Sequence, residues 1–198
     1  MGDVSSFAFT ISLAAVINGL GLVRVLTAIA AYVQGKKSVR IYWLYALLVS
    51  FQFLMHILLW WAMFGTRAAG LLNFFQYLYL LIGPIFLYLS TSILLPDIDD
   101  DVDDLRVVYW QVARSYFTVV ALLWFWAIFL WPTLVGVFAP AIPIFFVQFF
   151  LALVLRFTAA LRAHQVLVPA YCLIIVGFIL MFQIRLGGAA QQVIESVQ

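Results

Sequence analysis

The chain reads as six long apolar runs separated by short polar punctuation. The first extends from about Phe7 to Val33, with Asn18 and Arg24 as its strongly polar positions, and Gly35-Lys-Lys-Ser-Val-Arg40 ends it. The second runs from Ile41 to Gly65; after Thr66-Arg-Ala-Ala-Gly70 the third occupies about Leu71 to Leu95, with Gly83-Pro84 near its middle predicting a kink or hinge. The fourth and fifth, Tyr116 to about Phe138 and about Ala139 to Leu161, meet at a tight corner carrying Pro132, Pro140 and Pro143. Arg162-Ala-His-Gln165 leads to the sixth, about Val166 to Leu186. Stretches such as Ile41 to Gly65 are apolar on every face, so the alternation of a barrel strand is missing and helices are the spanning element. The lengths favour full crossings, with a re-entrant hairpin as the alternative for the fourth and fifth runs.

Before the fourth run, Leu105, Val108, Tyr109 and Val112 recur at i, i+3, i+4, i+7 while Arg106 and Arg114 lie off that face. This predicts a short amphipathic helix over 105–115, lying in the interface or extending the fourth span, with Asp103 or Asp104 as its N-cap.

Composition fixes the class. Charged residues make up 9% of the 198 positions and hydrophobic residues 67%, where a soluble domain needs about a quarter of its residues charged. The fold predicted is an all-α polytopic membrane protein: one domain over 1–198, six transmembrane helices in one bundle, a lipid bilayer around it and no soluble catalytic domain. The lone cysteine, Cys172, excludes an intrachain disulfide and a multi-thiolate metal site. The start Met1-Gly-Asp-Val-Ser-Ser6 fits a loose myristoylation pattern without supporting basic residues, and no positive region precedes the first run as a signal peptide would require.

Six of the eight acidic residues fall in one octet, Asp97 to Asp104, in a loop over 96–104. Lys36, Lys37, Arg40, Arg106, Arg114, Arg156 and Arg162 fall toward the same side, against Arg67 and Arg185 on the other, which places that side in the cytoplasm and both termini outside it. Trp60, Trp61 and Trp131 then mark the outer interface, Trp43 and Trp110 the inner one. The octet reads as a solvated loop; a cation site using Asp99, Asp101 and Asp103 is the sharper alternative, and it lacks the glycine and terminal glutamate of an EF-hand. Attraction between the octet and the basic 35–40 loop is a third reading.

Arg24 is the sharpest residue in the chain. It lies about 25 Å along the first helix from Phe7, in the inner third of the bilayer core, with no intramembrane carboxylate to pair with. It either snorkels to inner headgroups, attracts or gates an anion, or anchors a neighbouring helix, with backbone carbonyls, Asn73, Gln76, water or an anion as partners. His56, with Gln52 one turn before it, sits mid-span in the second run and reads first as a neutral histidine bonded to a neighbouring helix, second as a gate. Asn73 and Gln76 share a face at i and i+3, with Ser90, Thr91 and Ser92 further along; they read as interhelix contacts or, with Gln148, as the lining of a polar path.

No three-plus-three repeat, phosphate-cradling glycine loop, HExxH or Ser-His-Asp arrangement is present, and two histidines at different depths do not make a bis-histidine haem site. The expectation is no enzyme activity, no cofactor and no nucleic-acid partner. The segments Ile41-Tyr-Trp43, His56-Ile-Leu-Leu-Trp-Trp61, Tyr88-Leu-Ser90, Leu94-Leu-Pro-Asp97 and Asp104-Leu-Arg106 resemble a group of uncharacterised bacterial six-helix inner-membrane proteins over roughly the first 120 residues. That resemblance implies a bacterial inner-membrane location and brings no activity. Two functions are expected in order: a subunit or scaffold of a larger membrane assembly, with other membrane subunits or a second copy as partner, and then a small oligomeric channel or transporter for an anion or neutral solute.

Overall fold

A computed structural model describes residues 2–34, 40–69, 72–96 and 104–184 of the chain. These residues fold into six α-helices: α1 (Gly2–Val33), α2 (Trp43–Met63), α3 (Phe74–Leu94), α4 (Leu105–Val135), α5 (Ile142–Phe157) and α6 (Leu161–Phe178). A 3-10 segment, Phe64–Ala69, continues α2, and a π-helical turn, Ile179–Gln183, continues α6. No strand forms among the described residues.

Five of these elements are long and apolar enough to cross a membrane: Ile11–Val33, Trp43–Arg67, Phe74–Leu94, Leu105–Val135 and Leu161–Gln183. The architecture fits a membrane-embedded helical bundle. The fifth run, expected to span 139–161, is helical only from Ile142 to Phe157 because the prolines at 140 and 143 hold its start and the chain extends again at Thr158. Its 16 residues rise about 24 Å, short of a bilayer core of about 30 Å.

The expected short helix over 105–115 is not a separate element. It is continuous with the fourth run, the second of the two arrangements its pattern allows, and α4 is a single helix of 31 residues. A length of about 46 Å exceeds the hydrocarbon core by some three turns, which is why the polar residues Arg106, Gln111 and Arg114 are tolerated at its start. Asp104 caps it, accepting from Arg106 N at 2.8 Å, and Gly136 closes it in the left-handed conformation at φ 76°, where a side chain would strain the backbone.

Helix ends meet in a consistent up-and-down order. At one end the start of α2 meets the start of α4: Leu105 N donates to Arg40 O at 3.1 Å, where the backbones of residues 40 and 104 pair in parallel as a single β-bridge. At the other end Gln76 Nε2 reaches the carbonyls of Thr133 and Leu134 at the close of α4, both at 3.2 Å. Asn73 and Gln76 form a reciprocal capping box on α3, Asn73 Oδ1 accepting from Gln76 N at 2.9 Å and Gln76 Oε1 accepting from Asn73 N at 3.0 Å. Asn73→Ala should cost about 1 kcal/mol in an unfolding titration; an unchanged midpoint would show that the cap is replaced by solvent.

Helix α3 runs without a break through Pro84, and Gly83 and Pro84 are buried. A Cβ on Gly83 would meet three ring atoms of Trp126 at 2.2 to 2.5 Å, so the expected hinge position is the seat of an indole from α4. Trp126 Nε1 donates to Tyr79 O at 2.8 Å and Tyr79 OH returns a bond to Trp126 O at 3.2 Å, a reciprocal clasp between the two helices.

Candidate functional site

The bundle interior holds one extended group of polar side chains. Asn18 from α1, Gln52 and His56 from α2, Ser90 and Thr91 from α3 and Tyr116 from α4 are each at most 3% exposed, and hydrogen bonds join all six. Helical spacing puts each on its helix's inner face: Gln52 and His56 are one turn apart, and Ala14, Asn18, Gly21 and Val25 make a buried stripe along α1.

The geometry assigns the protons. Asn18 Nδ2 donates to His56 O at 3.0 Å, so its Oδ1 faces His56 Nδ1 at 2.8 Å and that ring nitrogen carries hydrogen. The other nitrogen, Nε2, lies 2.8 Å from Thr91 Oγ1 and in the neutral ring accepts from it. The two amide hydrogens of Gln52 point at Ser90 Oγ, 2.7 Å, and Thr91 Oγ1, 2.8 Å. Ser90 Oγ donates to Leu87 O at 2.8 Å, and Tyr116 OH donates to Gln52 Oε1 at 3.0 Å. Thr91 Oγ1 also lies 2.9 Å from Leu87 O, so its one hydrogen is shared between that carbonyl and His56 Nε2, and each of the six side chains has at least one partner, as a water-excluded interior demands. Thr91 and His56 have the separation of a nucleophile and its base, yet both residues are 0% exposed.

Close approach of α1 makes this possible. A Cβ on Gly21 would lie 2.2 Å from His56 Cε1 and 2.7 Å from Nε2, so the ring lies where a larger residue on α1 would stand.

Of the sequence candidates, the structure unites Gln52 and His56 in this group, pairs Asn73 with Gln76 at the start of α3, and places Arg24 and Gln148 elsewhere. Arg24 is partly buried on α1 and donates from Nε, at 3.1 Å, and from a terminal nitrogen, at 2.8 Å, to Leu95 O just past the end of α3. A cation on a helix's final carbonyls is a favourable charge-dipole pairing, so a backbone carbonyl, one of the expected partners, is among those that satisfy Arg24. Arg24→Leu should lower stability by about 1.5 kcal/mol, read by denaturant unfolding in detergent micelles; no change would mean that other contacts hold α1 there.

Gln148 is fully buried on α5, where its Nε2 donates to Tyr171 O at 2.9 Å and its Oε1 has no hydrogen-bond partner among the described residues. Asn73 and Gln76 belong to the end contact described above, about 21 to 26 Å along the α3 axis from Ser90. Asp99, Asp101 and Asp103 lie outside the described residues. His164, expected near the inner surface, is at the first turn of α6 but fully buried: Tyr109 OH meets its Nδ1 at 2.5 Å, its Nε2 donates to Thr158 O at 2.8 Å, and the Trp110 and Phe117 rings flank it.

Sequence reading noted Asn18, Ser90 and Thr91 as polar and left Tyr116 unmarked. Their common role had one legible cue. Asn18 and Gly21 share a helix face at i and i+3, the pairing of a polar and a small residue that marks a close helix contact in membranes.

No family model, curated protein or solved structure matches the chain.

Proposed function

We propose that the chain is a non-enzymatic integral membrane protein, a subunit or scaffold of a larger membrane assembly in the bacterial inner membrane. It crosses the membrane six times, α5 completing its crossing with the turn before it and the extended residues after it, and holds both termini on the non-cytoplasmic side. The observation that carries the reading is the closure of the buried hydrogen-bond network. A channel or carrier needs polar groups turned toward a continuous wet path, whereas Asn18, Gln52, His56, Ser90, Thr91 and Tyr116 bond to one another and to backbone carbonyls. The gathering of Arg40, Arg106, Arg156 and Arg162 at the bundle end where α2, α4 and α6 begin supports the cytoplasmic assignment of that end.

Extraction in a gentle detergent tests the reading. The chain should migrate well above its own 22.4 kDa with other polypeptides or further copies attached, and recovery as a lone monomer would sink it. Purified protein in liposomes should leave the bilayer electrically tight. Anion conductance whose selectivity shifts in Arg24→Gln would transfer the assignment to a small channel or transporter.

A further inference from the structure

Two arginines converge on the seam between α4 and α5. Ring contacts set the register of that seam: Phe125 of α4 lies 6.1 Å from Phe149 of α5, and Trp124 lies 5.6 Å from Phe145. Arg114 precedes Phe125 by eleven residues and Arg156 follows Phe149 by seven, spacings of three and two helical turns, so each falls on the face that its phenylalanine presents to the other helix. Because the two helices run antiparallel, both arginines lie on the same side of the ring contact, about 16 and 10 Å from it, which leaves about 6 Å between them along the axis. His164 gives the same level independently. Its ring meets Tyr109 and Phe117 of α4, which bracket Arg114, and its Nε2 donates to Thr158 O, two residues past Arg156.

Neither arginine has a counter-charge. Asp104 is the only carboxylate whose side chain is among the described residues; it caps α4 and lies ten residues, about 15 Å, from Arg114 along that helix. Arg114 is exposed and Arg156 is half-buried, its guanidinium held over the Phe157 ring at 4.8 Å. Arg156 Nε is enclosed without an acceptor, so the donors open to a ligand are the terminal nitrogens, which are not enclosed. Two like charges so placed repel each other, and an anion between them reverses the sign of the interaction. From Arg114 to the end of α4 at Val135 the helix rises about 32 Å, the thickness of a hydrocarbon core, so the pair sits at the boundary where lipid phosphates lie. Toward the middle of the bundle the same seam leaves Phe125 50% and Phe150 58% exposed.

We propose that Arg114 and Arg156 clamp the phosphate of an anionic lipid, with an acyl chain lying along Phe125 and Phe150. Planar guanidinium forks match phosphate oxygens, and basic pockets between membrane helices are suited to lipid headgroups. A zwitterionic lipid is disfavoured because it brings its own cation against the two arginines, and a soluble phosphate because it leaves the exposed rings uncovered. The site requires a membrane around the helices and is independent of the subunit assignment.

The test uses full-length protein in a neutral detergent, with bound lipid counted by native mass spectrometry during titration. The probes are dioleoylphosphatidylglycerol, dioleoylphosphatidylcholine of the same chains and, as competitor, inorganic phosphate. Phosphatidylglycerol should saturate one site per chain at about tenfold lower concentration than phosphatidylcholine, and phosphate in excess should leave it bound. Arg114→Gln and Arg156→Gln should each weaken its binding about fivefold. Arg162→Gln removes the same charge two residues before His164, from the side of α6 turned away from that ring, and should change the affinity by less than about twofold. The comparison of the two lipids in the unsubstituted protein stands whether or not each variant folds, and circular dichroism checks the variants. Equal affinity for the two lipids, an equal loss in all three variants, or displacement by phosphate at the lipid's own concentration would overturn the proposal.

Discussion

Gly21→Ala should destabilise the protein by about 3 kcal/mol although alanine is the better helix former. Helix propensity favours the substitution by about 1 kcal/mol. Against it stands a methyl group 2.2 Å from His56 Cε1 and 2.7 Å from Nε2. A surface side chain would swing aside, but this ring is held at both nitrogens, by Asn18 Oδ1 and Thr91 Oγ1, and its own backbone carbonyl is held by Asn18 Nδ2. Either α1 moves away, breaking the Asn18 bonds, or the ring leaves and gives up its bonds to Asn18 Oδ1 and Thr91 Oγ1 in a dry interior; overpacking alone typically costs about 1 to 3 kcal/mol. Reversible unfolding in mixed micelles measures the loss. The double variant Gly21→Ala, His56→Ala separates the causes: if the clash dominates, the second substitution restores part of the stability removed by the first, and simple additivity would reject the steric account.

Gln52→Leu should cost a similar amount, about 3 kcal/mol, by another route. Its volume is nearly conserved, so packing changes little. What is lost is the acceptor for Tyr116 OH and the donors to Ser90 Oγ and Thr91 Oγ1, which leaves α2, α3 and α4 without their shared polar junction. Hydrogen bonds between membrane helices average well under 1 kcal/mol each, so the size of the effect depends on the buried partners left unsatisfied. Pairing Gln52→Leu with Tyr116→Phe tests this. The phenylalanine removes the orphaned hydroxyl, and the double variant should be more stable than the sum of the single effects implies. A total effect below about 1 kcal/mol would mean that Tyr116 and the α3 hydroxyls find other partners.

Much of the architecture lay open in the linear pattern. A chain with so few charges has to bury its backbone polar groups internally, and helices of bilayer length are the available solution; hence the helical class and five of the six long elements followed from runs of apolar residues. Element ends were legible where a side chain acts on its immediate neighbours. Asp104 as a cap and the Asn73, Gln76 pair at i, i+3 are of this kind, although the second was read as an interhelix face and serves both as a capping box and as a contact to α4.

The candidate site divides along the same line. Arg24, Gln52 and His56 stand out in sequence because a polar residue in an apolar run is conspicuous; which partner each one takes is not, since that depends on helix rotation and on register between segments far apart in the chain. The bonds between α1 and α2 join residues 38 apart, and Arg24 meets a carbonyl 71 residues away. Apolar periodicity constrains rotation weakly in a membrane helix, where both lipid and core are oily. Gly83 and Pro84 show the consequence: together they read as a hinge, and a tryptophan on α4 makes the glycine a packing site.

By itself, then, the sequence determined that this is an apolar all-helical chain of the kind that a membrane holds, and which few polar groups had to find partners inside; it set some helix ends and missed others, since α4 starts at Leu105 and α6 at Leu161, ahead of the expected Tyr116 and Val166. Tertiary structure alone decided who those partners are and that α4 is one helix and not two. The physical reason is the range of the forces involved. Hydrophobic burial and local backbone bonding act on composition and near neighbours, whereas hydrogen bonds between helices and the fit of an indole on a glycine need ångström-scale placement, which only the assembled bundle supplies.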